Sequence, residues 1–529
     1  MWWIIAVVAT VVLGYRLLIR PHRHWLEKGV KQGAPRFIFG DFVGMVLQKQ
    51  SLGEMVKTVY DRCPNTRYSG FYQLFTPIFV LKDPDLIKQV AVKDFDHFQD
   101  HRTFIPEGSD PLWANNLVAL TGKKWRDMRT TLSPAFTSSK IKYMFTLISQ
   151  SGEQFVQYFL KKEESLITIE MKDSFTRFTN DVIANTAFGV ECDSLEDSNN
   201  EFYTMGKKAT DLSIWRFIGY SLMPGLFKLL KVTLFSKEVS EFFSNLVETN
   251  IHSRQKHGIV RPDMIHLLVE ARKNGFKDEE TEPIQDTGFA TAADHDVNKT
   301  PKNTKIKITD QDIASQALSF FFAGFDSVSA LMCFMSYELA LNPDVQTRLI
   351  QEVDETVDAC KGKLTYESLL GMKYMDMVVS ETLRKWPSSV GVDRVCTKPY
   401  IIDPKCPEEK PVHLEKNDVV WLPIFGLHRD PQYYPEPERF DPERFNDGNK
   451  ANIKPYTYLP FGHGPRNCIG SRLALLEAKT LFFYVLSHFE IVPVEKTQIP
   501  LVLSKKHIIL SAENGFWLGL KRRSDKSRK

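Results

Sequence analysis

No two cysteines in this chain have CxxC spacing, and the seven present (Cys63, Cys192, Cys333, Cys360, Cys396, Cys406 and Cys468) are odd in number and widely scattered. That excludes a thiolate zinc site and a disulfide framework, and it fits a reducing compartment. An excess of one charge is also missing. A net charge of +3 over 529 residues is too balanced to suggest a nucleic-acid partner. Beyond the N-terminus, no stretch reaches the roughly 18 uninterrupted apolar residues that a membrane-spanning helix requires. No internal repeat is apparent, and strands do not alternate with helices as they would in a doubly wound sheet. The glycine loop "GHGPRNCIG" lacks GxGxxG spacing as well, so it is not a dinucleotide fingerprint.

What is present begins with "MWWIIAVVATVVLGYRLLIRPHRHW". It is apolar from Trp2 to Tyr15 and continues through Leu17, Leu18 and Ile19. Arg16, Arg20, Arg23, Lys28 and Lys31 follow or interrupt the run, the reverse of a cleavable signal peptide. The expectation is a single membrane anchor over 1–20, with everything after it in the cytosol, then a linker over 21–52 and a catalytic body over 53–529.

In the body, "YQLFTPIFVLKD" reads as strands, and "SGEQFVQYFLKK" and "VSEFFSNLVETNIHSRQK" show helical spacing of bulky residues. "SIWRFIGYSLMPGLFKLLKVTLF" (213–235) is either a buried helix pair or an apolar loop touching the membrane. Residues 276–305 read as a polar loop. A long helix is expected from 310 to about 341, capped by "TDQD". A last helix is expected from about Cys468 to His488, and "HIILSAENGFWLGLKRR" reads as two strands around a turn at Glu513-Asn514-Gly515. The fold class is therefore mainly α with small β-sheets.

Four constellations carry chemistry. In "FGHGPRNCIG" (461–470), Cys468 sits where a turn meets a helix, so backbone N–H groups point at its sulfur. With Arg466 as a fixed cation and Phe461 covering one side, the loop suits an axial haem ligand; the alternative is a structural turn. In "FFFAGFDSVSA", Ala323 and Gly324 are small between large neighbours, leaving room for a planar group, while Asp326 and Ser327 place an acid beside a hydroxyl in mid-helix. Ser327 is expected to bond back to the Ala323 carbonyl and open the helix for water; the alternative is a solvent-facing pair. "SETLRKWP" puts Glu381 and Arg384 on one helix face, and the tandem "EPERFDPERF" supplies Arg444 for a structural latch. "KKWRDMR" aligns Trp125 and Arg129, both able to reach a carboxylate, and leaves Lys123, Lys124 and Arg126 as a basic patch.

Taken in order, W-x-x-x-R, A-G-x-[DE]-[TS], E-x-x-R, P-E-R-F and F-x-x-G-x-R-x-C-x-G resemble the cytochrome P450 superfamily, over nearly the whole chain. The N-terminal anchor and "PERF" resemble its microsomal, reductase-dependent branch. "RPDMIHLL" and "LSPAFTSSKIK" resemble the clan of vertebrate drug-metabolising and insect detoxification enzymes.

The resemblance implies a haem b cofactor held by Cys468, with Trp125, Arg129, Arg466 and Arg394 (in "GVDRVC") toward its propionates. Ala323, Gly324, Phe461 and Gly470 would lie against it. Asp326 and Ser327 would be the acid–alcohol pair supplying protons, and Glu381, Arg384 and Arg444 the structural triad. It implies monooxygenation of hydrophobic small molecules with O2 and NADPH-derived electrons, delivered by a diflavin NADPH–cytochrome P450 reductase and also by cytochrome b5. Xenobiotics, plant metabolites or insecticides are the substrates expected. Endogenous fatty acids or hormones, isomerase or peroxygenase chemistry, and a non-catalytic haem sensor are the alternatives. Lys123, Lys124 and Arg126 would dock the reductase at the cytosolic face of the endoplasmic reticulum. Phe104, Phe320, Phe321, Phe325 and Leu427 are pocket candidates. Two departures stand out: Ser327 where most members have threonine, and a proline hinge reduced to "KQGAPRF".

Overall fold

Thr309 and Asp312 set the start of the helix around which the molecule is arranged. The Thr309 hydroxyl accepts the Asp312 N–H, and the Asp312 carboxylate accepts the Thr309 N–H. The helix then runs unbroken from Asp310 to Leu341, and its apolar residues point in every direction, so it must be enclosed on all sides. In the computed structural model it is the mostly buried centre of the protein. Among the described residues, it is also the one helix long and apolar enough to cross a membrane. The structure describes every residue except 1, 15–19, 37, 104, 106–108, 212–215, 217–218, 221–222, 262, 275–286, 293–307 and 524–529.

The elements that place the site are, in chain order, α1 (Trp2–Gly14), α2 (Leu52–Asp61), β1 (Tyr68–Gln73) and β2 (Thr76–Leu81). Next come α3 (Pro111–Ala114), α4 (Gly122–Leu132), α5 (Ser138–Leu160), β3 (Leu166–Glu170) and α6 (Met171–Ile183). They are followed by α7 (Pro224–Leu229), α8 (Lys237–His257), the central α9 (Asp310–Leu341) and α10 (Lys373–Lys385). Five strands, β4 (Val392–Val395), β5 (Tyr400–Ile402), β6 (Val412–Leu414), β7 (Val419–Leu422) and β8 (Phe489–Pro493), bracket α11 (Ser471–His488), and β9 (Trp517–Arg522) closes the chain.

The sheets are small. One has the order β1-β2-β7-β4, with β2 and β7 parallel; a second is β3-β9-β8, and β5 pairs with β6. One large core cluster joins α5, α6, α9, α10 and α11, and a second lies under α4 and α8.

Three expectations change here. α11 begins at Ser471, so Cys468 lies in the loop before it. The C-terminal hairpin is a single strand: β9 forms with β3 and β8 as partners, while the residues before the turn bond back instead, Ser504 N–H to the Ser511 carbonyl and Glu513 N–H to the Val502 carbonyl (both 2.8 Å). The helix around Ser327 is not opened. Its backbone ladder tolerates the hydroxyl's bond to the carbonyl one turn back.

At the N-terminus, α1 is apolar and exposed along its described side chains, Trp2 and Trp3 at more than four-fifths. Its 13 residues give about 20 Å of helix, and residues 15–19 of the expected span lie outside the described residues. Parts of 213–235 and most of 276–305 do too. Within the former, α7 exposes Leu226 and Leu229, with Leu230 following. Within the latter, 287–292 is docked, with the Phe289 N–H on Asp376 (3.0 Å) and Lys479 Nζ on the Thr287 carbonyl (2.6 Å).

Candidate active site

The cysteine loop is built by two glycines with positive φ. Gly462 (φ 71°) and Gly464 (φ 79°) turn the chain, and a side chain on Gly464 would collide with the Ala91 carbonyl. The Cys468 N–H then donates to the Phe461 carbonyl at 2.9 Å, which closes the loop. Cys468 is solvent accessible although its neighbours Arg466 and Asn467 are buried. Accessible as its surface is, the protein packed around the sulfur strips water from the thiolate and pushes the thiol up, while the Gly470 N–H and the Arg129 guanidinium pull the other way.

Three buried arginines gather round this loop. Arg129 donates to the Asn467 carbonyl (2.9 Å) and to Asn467 Oδ1 (2.7 Å), tying α4 to the residue before the cysteine. Arg466 lies over the Trp125 ring at 4.2 Å and donates to the carbonyls of Gln99, Leu117 and Leu120. Arg394, on β4, donates to the carbonyls of Asp393 (2.7 Å) and His463 (3.2 Å), and its buried Nε has no hydrogen-bond partner.

The acids nearby are Asp100, 3.6 Å from Arg466, and Asp393, which engages His101 at 3.1 Å. Burial would raise Asp393, but His101, the Arg102 N–H and Arg394 outweigh it and hold the carboxyl low. Even so, burial, together with repulsion from Arg394 and Arg129, pulls Arg466 down to about 9. Burial takes Arg394 to about 10 despite Asp393. The cluster carries positive charge that the chain does not neutralise.

On α9 the exposure pattern is the clue. Phe321 and Phe325 are buried, yet Ala323 between them is exposed, and Phe320, Phe322, Asp326 and Ser327 are partly so. Away from its ends, this buried central helix therefore has one accessible patch, centred on the small Ala323. Gly324 is small for another reason: a Cβ there would stand 2.8 Å from Ile183 Cδ1 on α6.

Asp326 Oδ1 forms an ion pair with Lys172 of α6, which also donates to Ser329 Oγ at 2.8 Å. Ser327 Oγ donates to the Ala323 carbonyl, and its own carbonyl accepts Ser388 Oγ at 3.1 Å.

The donor set fits a planar, iron-carrying, dianionic group. It offers one accessible thiol, an accessible patch at Ala323 on a helix packed against α11, and three buried guanidiniums facing, among the described residues, only two nearby carboxylates, Asp100 and Asp393.

The second arginine cluster is self-sufficient. Arg384 grips Glu381 through two bonds of 2.7 and 2.8 Å, both residues fully buried, and Arg444 Nε lies 3.5 Å from the same carboxylate. The Asp441 N–H adds a bond at 2.9 Å. His428, which no local pattern marks, joins this latch to the segment leading into the cysteine loop. Its Nε2 accepts the Leu459 N–H (2.8 Å), so Nδ1 carries the proton and donates to the Arg384 carbonyl (3.1 Å). Burial and the adjacent Arg384 charge lower its pKa to about 3, so the ring is neutral.

The remaining candidates divide. Trp125 and Arg129 share the buried face of α4, and Phe461 is partly buried against the large core cluster. Gly470 is the residue just before α11. Phe320 is partly exposed beside Phe136, while Phe321, Phe325 and Leu427 are buried in core clusters. Phe104 lies outside the described residues. Lys123 pairs with Asp127 (2.6 Å), Arg126 with Asp96, and Lys124 is exposed. Besides His428, the sequence pattern missed Lys172, His101, Asp393 and Asn467. Adjacency to Arg394 and Cys468 was the one available signal, and it covers only the last two.

Residues 35–518 match the family model described as cytochrome P450. Over 541 aligned residues the chain is 43% identical to cytochrome P450 9e2 of Blattella germanica, covering 99% of this chain and 98% of that one. It is 42% identical to a Drosophila melanogaster protein described as probable cytochrome P450 9f2 (99% and 100%) and 38% identical to cytochrome P450 6k1 of Blattella germanica (97% and 95%).

Proposed function

We propose that this chain, which belongs to the cytochrome P450 family and is a monooxygenase of that haem–thiolate family, oxidises hydrophobic small molecules of foreign origin. We further propose a haem b cofactor, with electrons coming from NADPH through a diflavin reductase and from cytochrome b5. The observation that carries the reading is the accessible Cys468 set among three buried arginines that, among the described residues, face only two nearby carboxylates. Similarity to insect members of the family supports foreign compounds as substrates.

Bound haem supplies the oxygen-activating chemistry. Cys468 would hold its iron, with the Gly470 N–H and Arg129 favouring the thiolate. Arg394 would turn its unpartnered Nε toward a carboxylate, and Arg129, Arg466 and Trp125 would frame the same edge. Asp326 would hold and pass a proton at its carboxylate oxygens, with Lys172 fixing its orientation and Ser327 Oγ one residue on. Serine lacks the methyl that restricts threonine's rotamer, so Ser327 positions a proton less tightly. Phe320 and Phe322, the aromatic border of Ala323, would keep bulk water out.

The exposed apolar α1 and the exposed Leu226, Leu229 and Leu230 support a single-pass anchor at the endoplasmic reticulum with the body facing the cytosol. Exposed Lys123 and Lys124, with Arg126 nearby, support docking of an acidic reductase face.

The test is to reduce the purified protein, add carbon monoxide and record the strongly red-shifted Soret band of thiolate-ligated haem. The band is expected in the wild type and absent in Cys468→Ala; its persistence in that variant would overturn the assignment. Asp326→Ala is expected to keep the band and slow NADPH-supported turnover by about 10- to 100-fold.

A further inference from the structure

We infer that Asp110 is a latch holding the roof over the accessible patch of α9, and so a positioning residue for the reaction; this rests on the reading of that patch as the reaction site. Asp110 is 1% exposed, and its two oxygens serve different parts of the chain. Oδ1 accepts the N–H groups of Leu112 (3.1 Å) and Trp113 (3.2 Å), capping α3. Oδ2 accepts the N–H groups of Leu234 (3.0 Å) and Phe235 (3.2 Å), more than a hundred residues away. One buried carboxylate thus bridges α3 and the segment that enters α8.

Each side of the bridge is attached elsewhere without it. On one side, Ser315 Oγ of α9 donates to the Leu112 carbonyl (2.6 Å), and Gln316 Nε2 donates to the Asn115 carbonyl (2.6 Å). On the other, Arg216 donates to the Leu234 carbonyl (2.9 Å), and Ser236 Oγ caps α8 by accepting the Val239 N–H (3.3 Å). Breaking the bridge therefore separates the two sides and leaves each in place.

The Trp113 ring spans the seam, 6.2 Å from the Phe235 ring and 6.1 Å from that of Phe322, which borders Ala323. Asp110 accordingly sets how firmly Trp113 closes over the patch. On this proposal a large ligand seated over the patch loosens the Trp113–Phe235 contact as it leaves, and a small one does not.

The test uses full-length holoprotein and Asp110→Ser. Serine keeps one oxygen for the α3 cap and lacks the second that reaches Leu234 and Phe235. Hydrogen exchange at the Leu234 and Phe235 amides is expected to rise about tenfold, the effect of losing a hydrogen bond to a charged group. Exchange across α4 and α11 should stay unchanged. Release of a bulky azole such as clotrimazole, followed by its absorption change, is expected to accelerate about tenfold, with imidazole release unchanged.

Unchanged exchange at 234–235 overturns the proposal. So does equal acceleration of both azoles, or a rise in exchange throughout the protein, since either reduces Asp110 to a general structural role. If Asp110→Ser does not accumulate, Asp110→Thr gives the same contrast, with one hydroxyl for the α3 cap and none for Leu234 and Phe235. A wild type without the thiolate–carbon monoxide band sinks the proposed function, while exchange at 234–235 still decides the latch.

Discussion

Two buried clusters of arginine lie near the cysteine loop, and their guanidiniums behave in opposite ways. At Arg384, Arg394 and Arg466 alike, burial works against the charged form. At Arg384 the carboxylate of Glu381, held through two short bonds, more than offsets burial and raises it. At Arg466 and Arg394 burial prevails, and the values fall to about 9 and about 10. The first cluster is complete within the chain and braces the segment that carries the cysteine loop. The second is left short of negative charge, which is what a site prepared for an anionic group looks like before that group is counted.

Glu381→Ala should give the largest effect. It strands the buried Arg384 guanidinium and the partly buried one of Arg444, and is expected to cost about 3–5 kcal/mol, read as a lowered denaturant midpoint or as failure to accumulate folded protein. A mild loss, under about 1 kcal/mol, would mean that the latch is not the self-sufficient cluster described here. Arg394→Met should do the reverse. Unfolding of the haem-free chain is expected to change by less than about 1 kcal/mol, while haem transfer to a competing apoprotein accelerates about tenfold. A large stability loss with normal haem retention would erase the distinction between the clusters.

A more gradual effect is in pH dependence. His428 has a folded pKa of about 3, below its ordinary 6.5, so the unfolded chain takes up a proton that the folded one refuses. Its contribution is complete above pH 6.5 and is lost as pH falls below that value, by about 1.4 kcal/mol per unit. Denaturant titrations between pH 7 and 5 should show the slope, and His428→Asn should flatten it.

Legibility in the sequence followed range. The central helix was readable because its cap is four residues long and its apolar character is local. Glu381 with Arg384 was readable because three residues make one helical turn, and Ser327 with the Ala323 carbonyl because four do. The hairpin expected at the C-terminus failed for the converse reason: strand partners are chosen by tertiary packing, and β9 found β3 from 350 residues away. Gly324 was rightly marked as small, but what it makes room for is Ile183.

By itself, then, the sequence determined the helical class of the fold, the order of its five motifs and the one cysteine set in a constrained glycine loop, since each depends on spacings within a turn or two. Only the tertiary structure decided which arginines are neutralised, that Lys172 meets Asp326, that His428 stays neutral and that Asp110 joins α3 to the entrance of α8. The last three depend on burial and on partners from 44 to 154 residues distant. Neither desolvation nor a long-range hydrogen bond leaves a periodic trace in the order of residues.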